Sequence, residues 1–401
     1  MSKKKHAPGN ANVSRRRNDE LLRHISAVRR FVEKASGNPT LLRYLDDVRR
    51  ALVETGYGLT FEEHLEGIEK LLDKNDIKLA EMRKLAINNG KRSNLLIEGE
   101  NLAALRHLSK SYAGKVDVIY IDPPYNTGME SLNYDDYDYA DAGDAYVHSK
   151  WLSFMDKRIR AAYGLLSENG VMFIHIDEHE TGTLLLLCQT IFGEANVVVL
   201  VWPKTDPKFD QNRVERPFHN IKTVHENIFA CFKDKNKTNF SSMMMPSPRS
   251  GEEYAETPTH METILKGLGT TSSAKDELEE ILGRRDMFRT PKPMKLVKEL
   301  VRVAGGKHAL VLDFFAGSGT TGHAVMDLNK EDGGDRKFVL VNNSENEICR
   351  KVTYERLIRV IEREHYQESL RYFKIKYVPK DSFGDNLPEK TVKEICHRKK
   401  K

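Results

Sequence analysis

The sequence predicts an α/β fold, a doubly wound and mostly parallel sheet with a small helical N-terminal region. Three observations carry this. From Asn94 onward short apolar runs alternate with helical patterns, the texture of a parallel sheet covered by helices. Two of the runs end in turns that no regular element continues: the Pro-Pro of YIDPPYNTG at 120–128 and the glycine turn of LVLDFFAGSGTTG at 310–322. Before Asn94 the apolar residues recur at helical spacing only.

Taken in order, residues 1–20 read as a basic, disordered tail, with Lys3 to Lys5 and Arg15 to Arg17. In the helical region 21–92, one helix is marked by Leu21, Ile25, Val28 and Val32, and a second by Leu41, Leu45, Val48 and Leu52. A third is expected from Thr60, whose hydroxyl and Glu63 form a capping box, through Leu65, Ile68 and Leu72. Residues 93–234 supply strands LLIEG, DVIYID, GVMFIHID and ANVVVLVW, a helix over 150–166 with Trp151, Phe154, Met155 and Ile159 inward, and a closing strand pair in KTVHENIFACFKD. Residues 235–286 lose periodicity and read as a short variable insert, with a helix at 275–282. Residues 287–365 resume with PKPMKLVKELVRVA, HALVLDFF and KFVLVN, then a helix from about 346 to 364; residues 366–401 hold the strand SLRYFKIKYV and a basic tail.

Composition narrows the function. Lys and Arg number 64 against 59 Asp and Glu, a net charge of +5 that suits a partner with an acidic surface such as nucleic acid. Cys188, Cys231, Cys349 and Cys396 have no metal or disulfide spacing and read as reduced thiols of a cytoplasmic protein. No signal-peptide pattern is present, and the run 197–202 is too short to span a bilayer, so no membrane partner is expected.

The first motif places a carboxylate, Asp122, at a strand's carboxyl end, where open α/β sheets bind ligands. Pro123 and Pro124 then hold the backbone extended and present Tyr125. By itself this is also ordinary turn punctuation, its Asp bonding backbone amides. In the second motif Gly317, Gly319 and Gly322 satisfy G-x-G-x-x-G, which lets a ligand approach the backbone at a helix N-terminus near Thr320. Asp313 directly before that turn would repel a pyrophosphate, so a cofactor with adenosine but no pyrophosphate, S-adenosylmethionine, fits better than NAD. No G-x-x-x-x-G-K-[ST] pattern occurs.

DPPY and DxFAGSGTTG in one chain, DPPY first, resemble the S-adenosylmethionine-dependent amino DNA methyltransferases with permuted motifs (the beta group), and within them the modification (Mod) subunits of type III restriction-modification systems. KWLSFMDKRIRAAYGLLSENGVMFIHIDE, GTTSSAKDELEEILG, FRTPKPMKLVKELV and VTYERLIRVI resemble that family's connecting blocks in order, so the likeness spans 94 to about 364. The resemblance implies a Rossmann-like methyltransferase fold, S-adenosyl-L-methionine as cofactor, and site-specific methylation of adenine N6 in double-stranded DNA. The further partners it implies are a restriction (helicase–nuclease) subunit and a second copy of the chain. Asp122, Pro123, Pro124 and Tyr125 take the catalytic positions: the Asp122 carboxylate and Pro123 carbonyl accept the amine's hydrogens while Tyr125 stacks on a flipped-out base. Asp313, Phe315, Ala316, Gly317, Ser318, Gly319, Thr320 and Thr321 match cofactor positions, joined by Lys292 in a block that closes over the cofactor and by Asn101. Glu345 is assigned to the ribose hydroxyls, with Asn342 as its rival.

Asp at position 122 favours adenine over cytosine N4, the alternative substrate, since the related cytosine enzymes commonly have Ser there. The barely 50 residues between HENIFACFKD and FRTPKP leave less room for target recognition than Mod subunits have. A partner-dependent DNA-binding subunit of weak activity is therefore a second alternative. A nicotinamide oxidoreductase leaves DPPY without a role. HIDEHE at 175–180 offers metal ligands without a second cluster to complete a set, so no metal is assigned. Arg213, Arg216 and His219 read as phosphate contacts or a solvated loop.

Overall fold

A computed structural model of the chain describes residues 13–35, 38–54, 59, 61–89, 92–127, 146–205, 221–246 and 256–380. The chain divides into two units, Met1–Thr60 and Phe61–Lys401. In the first, helix α1 (Val13–Ala35) is joined to α2 (Pro39–Glu54) by an Arg29–Asp46 ion pair of 2.9 Å. Both expected helices are present, and Val32 is buried between them while Val28 and Val48 remain about half exposed.

The second unit opens with α3 (Gly67–Lys74), shorter than the spacing predicts. Its capping box is Glu66 with Glu69, not Thr60 with Glu63, and Thr60 lies outside the described residues. Strand β1 (Asn75–Glu81) follows within the stretch expected to be helical. Its conformation is set by tertiary pairing: every residue is matched antiparallel to β11 (Glu368–Pro379), more than 280 positions away in sequence. Strand β2 (Arg92–Glu98), α4 (Asn101–Tyr112), β3 (Val116–Ile121), α5 (Val147–Leu165), β4 (Leu166–Ile176), α6 (Thr181–Phe192) and β5 (Val197–Pro203) then alternate as the apolar runs require. In place of an expected strand pair stands one strand, β6 (His225–Phe232), which has no internal Gly or Pro and is paired on both edges, with β4 and β5.

The aperiodic stretch 235–286 is more structured than a free insert. Strands β7 (Met243–Pro246) and β8 (Glu256–Thr259) form a small ribbon, and α7 (Thr271–Leu282) is capped by Thr270 and Ser273. Met243, Leu265 and Leu268 are fully buried single anchors that create no periodic pattern, while Leu278 belongs to the buried face of α7 with Ala274, Ile281 and Leu282. The chain continues through α8 (Met294–Ala304), β9 (Leu310–Asp313), α9 (Thr320–Asp332) and β10 (Lys337–Asn342). The helix expected from 346 is broken into a 3-10 turn (Glu345–Glu347), a π-helical turn (Cys349–Tyr354) and α10 (Glu355–Arg363).

Among the described residues one sheet has nine strands in the order β1-β11-β2-β10-β9-β3-β4-β6-β5. The pairings from β11 to β4 are parallel, and β1, β6 and β5 add antiparallel edges. From β9 the chain proceeds to β10 on one side, and from β3 to β4 on the other. β3 and β9 therefore flank the topological switch point, where the carboxyl ends of neighbouring strands open a crevice. Both motifs leave the sheet there. Among the described residues, no helix is long and apolar enough to cross a membrane.

Candidate active site at the switch point

Val116, Val118 and Ile119 are buried, so β3 is fixed in the sheet, and the prolines carry the chain out of it. The Trp151 indole N–H donates to the Pro124 carbonyl at 2.8 Å, and the Asn126 amide, at φ +58°, donates to Glu180 Oε1 at 2.5 Å. Trp151, Phe154 and Met155 are buried, as core packing requires, and the first also pins the motif. Thus held, Asp122 accepts the Tyr125 hydroxyl at Oδ1 (2.6 Å) and lies 2.8 Å from Lys292 Nζ at Oδ2.

A second carboxylate, Glu226 at the start of β6, completes this cluster. Its Oε2 lies 3.1 Å from the Tyr125 hydroxyl and 3.4 Å from Lys292 Nζ. His175 Nδ1 is 3.4 Å away, and Lys204 Nζ is 3.6 Å from Oε1. Burial alone would raise the Glu226 carboxyl, yet Lys292, His175 and Lys204 hold it well below the usual carboxylate range. Lys292 is raised: burial works against its charge, and Asp122 and Glu226 outweigh that. Burial, then the charges of Asp122 and Glu226, push the Tyr125 hydroxyl well up, so it stays a donor. The lysine ammonium stands 5.1 Å from the Tyr125 ring centroid.

Across the crevice, β9 ends at Asp313, whose carboxylate accepts the Phe315 N–H at 3.0 Å and the Thr321 hydroxyl at 2.6 Å. Burial dominates, and with the nearby Asp122 charge it overrides these bonds, raising the carboxyl to about 7. Gly317 (φ +47°) and Gly319 (φ +78°) form the turn into α9. A Cβ on Gly317 would stand 2.9 Å from the Phe288 ring, and one on Gly322 2.7 Å from Leu357, so the turn and the helix behind it are packed against bare backbone. The Gly317 carbonyl accepts from Asn342 Nδ2 (3.0 Å) and Thr353 Oγ1 (2.7 Å), the latter in the π turn. Arg356, buried, donates to the Ser318 and Thr320 hydroxyls and to Glu277 Oε1 (2.7 Å), tying the turn to α7.

Between the two motifs lies a narrow cleft lined by Tyr120, Asp122, Phe288, Thr290, Lys292, Asp313 and residues 315–318, 320 and 321. The two motifs, nearly 200 residues apart in sequence, thus share one cavity. Asp122, Lys292, Asp313, Phe315, Ala316, Gly317, Ser318, Thr320 and Thr321 all line it, and Gly319 caps the helix at its edge. Lys292 comes with its ammonium on Asp122 rather than only closing over a ligand. Asn101 stands behind the wall, donating to the Phe314 carbonyl (3.2 Å) and accepting from Arg158 (2.6 Å). Glu345 is exposed on the 3-10 turn and does not line the cleft, whereas its rival Asn342 is buried beneath the glycine turn.

Tyr120, Phe288, Thr290 and Arg356 lie inside YIDPPYNTG, FRTPKPMKLVKELV and VTYERLIRVI but receive no role from the sequence, and the one local signal for Glu226 is a lone acid opening an apolar strand. HIDEHE splits: His175 is buried beside Glu226, while ligand atoms of Asp177, Glu178 and His179 lie within 4.8 Å of one another. Asp177 already bonds the His179 imidazole at 2.9 Å. Arg213, Arg216 and His219, and the tails 1–12 and 381–401, lie outside the described residues.

The family model described as DNA methylase (N6_N4_Mtase) matches residues 116–356, more than half of the chain. The type III restriction-modification enzyme StyLTI Mod subunit of Salmonella typhimurium is 30% identical over 364 residues, covering 66% of this chain and 55% of that protein. The type II methyltransferase M.KpnI of Klebsiella pneumoniae is 25% identical over 411 residues, covering 81% of this chain and 95% of that protein. The crystal structure of the M1.HpyAVI–SAM complex aligns at 18% identity with a TM-score of 0.36, over 66% of this chain and 97% of that one. The chain spans little more than half the length of the Mod subunits it matches.

Proposed function

The chain belongs to the N6/N4 DNA methylase family, and from that premise we propose that it transfers a methyl group from S-adenosyl-L-methionine to adenine N6 in double-stranded DNA, as part of a restriction-modification system. The observation that carries this reading is the Asp122 carboxylate at the β3 terminus, opening into the cleft beneath the glycine turn. Asp at this position supports adenine over cytosine N4.

An exocyclic amine is a weak nucleophile because its lone pair is delocalised into the ring. Asp122, and the Pro123 carbonyl beside it, accept the amine's hydrogens and favour a pyramidal nitrogen. The Tyr125 ring offers a stacking face, worth about 1–3 kcal/mol for a base taken out of the duplex. Asp313 and residues 315–321 would hold the cofactor: the cleft has bare backbone at Gly317, and a buried carboxyl raised to about 7 gains a partner in a cationic methionine group. S-adenosylmethionine supplies a methyl already activated on a sulfonium, so the chain's task is alignment, not strong base catalysis.

The DPPY strand β3 precedes the glycine-turn strand β9 in the chain, in keeping with the permuted group. A cytoplasmic location, a second copy of the chain and a restriction subunit belong to the same reading. The resemblance over most of M.KpnI favours a chain that methylates unaided, and the shorter span against Mod subunits favours help in target recognition. Incubation with methyl-labelled S-adenosylmethionine and mixed-sequence duplex DNA, followed by nucleoside mass spectrometry, tests it. The expected product is N6-methyladenine. Labelled N4-methylcytosine would replace the substrate, and unlabelled DNA with the cofactor bound would put the partner-dependent subunit first.

A further inference from the structure

No step of methyl transfer described so far uses Glu226, although it is 7% exposed and surrounded by the site's own groups. The charged and titratable neighbours come from four directions: Tyr120 on β3 with Asp122 and Tyr125 beyond it, His175 on β4, Lys204 after β5, and Lys292 before α8. Two of these are the donors that engage Asp122. The Tyr125 hydroxyl is 2.6 Å from Asp122 and 3.1 Å from Glu226; Lys292 Nζ is 2.8 Å from the one and 3.4 Å from the other.

A tyrosine hydroxyl carries one hydrogen and serves one carboxylate at a time. A target amine that bonds Asp122 therefore competes with Tyr125 and Lys292, which both draw on the same carboxylate charge. Glu226 stands within reach of both competitors from where they already are. Rotation of one O–H and a small lean of one ammonium transfer them to it, and no buried donor is stranded. We propose, resting on the methyl-transfer reading, that Glu226 is a positioning residue that receives the Tyr125 hydroxyl and Lys292 ammonium when the target's exocyclic amine takes their place on Asp122.

The role requires charge more than shape, because an amide at 226 leaves Lys292 with Asp122 as its remaining carboxylate and tightens that grip. Glu226→Gln, of equal size, should lower kcat about 10²-fold, the scale of losing one preorganised electrostatic partner. Its cofactor affinity should stay within about threefold, since Glu226 does not line the cleft. Glu226→Asp, shorter but charged, should keep much more activity than the Gln variant; a purely structural residue would give the reverse order. Titration of ¹⁵N-lysine-labelled full-length protein by NMR provides a readout separate from turnover: Lys292 should titrate about one pH unit lower in Glu226→Gln. An active protein in which the Gln variant matches the unaltered chain, or in which Lys292 does not move, overturns this inference alone. A chain that transfers no methyl group to DNA overturns the transfer reading and this inference with it.

Discussion

On the proposed reading, the buried Asp313 carboxyl should make S-adenosylmethionine binding depend on pH near neutrality. Burial raises it to about 7, against the bonds from Thr321 and Phe315. A cationic methionine group would bind the ionised form, so affinity should fall as the group is protonated. With a midpoint of about 7, roughly nine-tenths is ionised at pH 8 and one-tenth at pH 6, an affinity loss of about tenfold, or ~1.4 kcal/mol. The sign follows the linkage rule for an acid raised above its unfolded value. Between about pH 4 and pH 7 the folded apoprotein holds the proton more tightly than the unfolded chain, so this group's contribution to stability declines as pH rises through that window. Calorimetric titration with S-adenosylmethionine from pH 6 to pH 8, in two buffers of different ionisation enthalpy, measures both affinity and proton release. Asp313→Asn should flatten the pH dependence and bind at the weaker limit throughout. A flat profile in the unaltered protein, or an Asn variant that still follows pH, would show that the Asp313 charge does not hold the cofactor.

Other substitutions probe the supporting structure. Gly322→Ala, whose Cβ would stand 2.7 Å from Leu357 and 3.0 Å from Leu340, should cost about 1–3 kcal/mol in urea unfolding. Arg356→Met leaves Glu277 without its guanidinium partner and should lower the unfolding free energy by about 3 kcal/mol, read as a lower urea midpoint. Asn342→Ala removes a bond to the Gly317 carbonyl and should weaken cofactor binding by about 1 kcal/mol, whereas Glu345→Ala should leave calorimetric affinity unchanged. Trp151→Phe keeps an aromatic ring but deletes the bond to Pro124, so kcat should fall more than cofactor affinity does.

Much of the parallel sheet is legible because its strands are short apolar runs bounded by hard punctuation: β3 ends at Ile121, just before Pro123 and Pro124, and β9 at Asp313, just before the glycine turn. The less legible parts depend on partners remote in sequence. Strand β1 exists because β11 pairs along its full length, and nothing local in NDIKLAE outweighs a helical reading. The anchors Met243, Leu265 and Leu268 are isolated contacts, invisible to any periodicity. At the site, the motif residues were identifiable because a proline or glycine turn stops the strand at a fixed position, and the carboxylate there faces the ligand-binding edge of the sheet. Glu226 and Arg356 act through charges brought from other elements, and a single sequence holds no sign of that proximity.

On the proposed reading, Asp122 holds the target amine while a separate set of residues holds the cofactor. Asp122→Ala, assayed in one preparation for labelled methyl transfer to duplex DNA and for S-adenosylmethionine affinity, tests it most directly. Transfer should fall by at least about 10³-fold with cofactor affinity within about threefold. Retained turnover would contradict the assignment of Asp122.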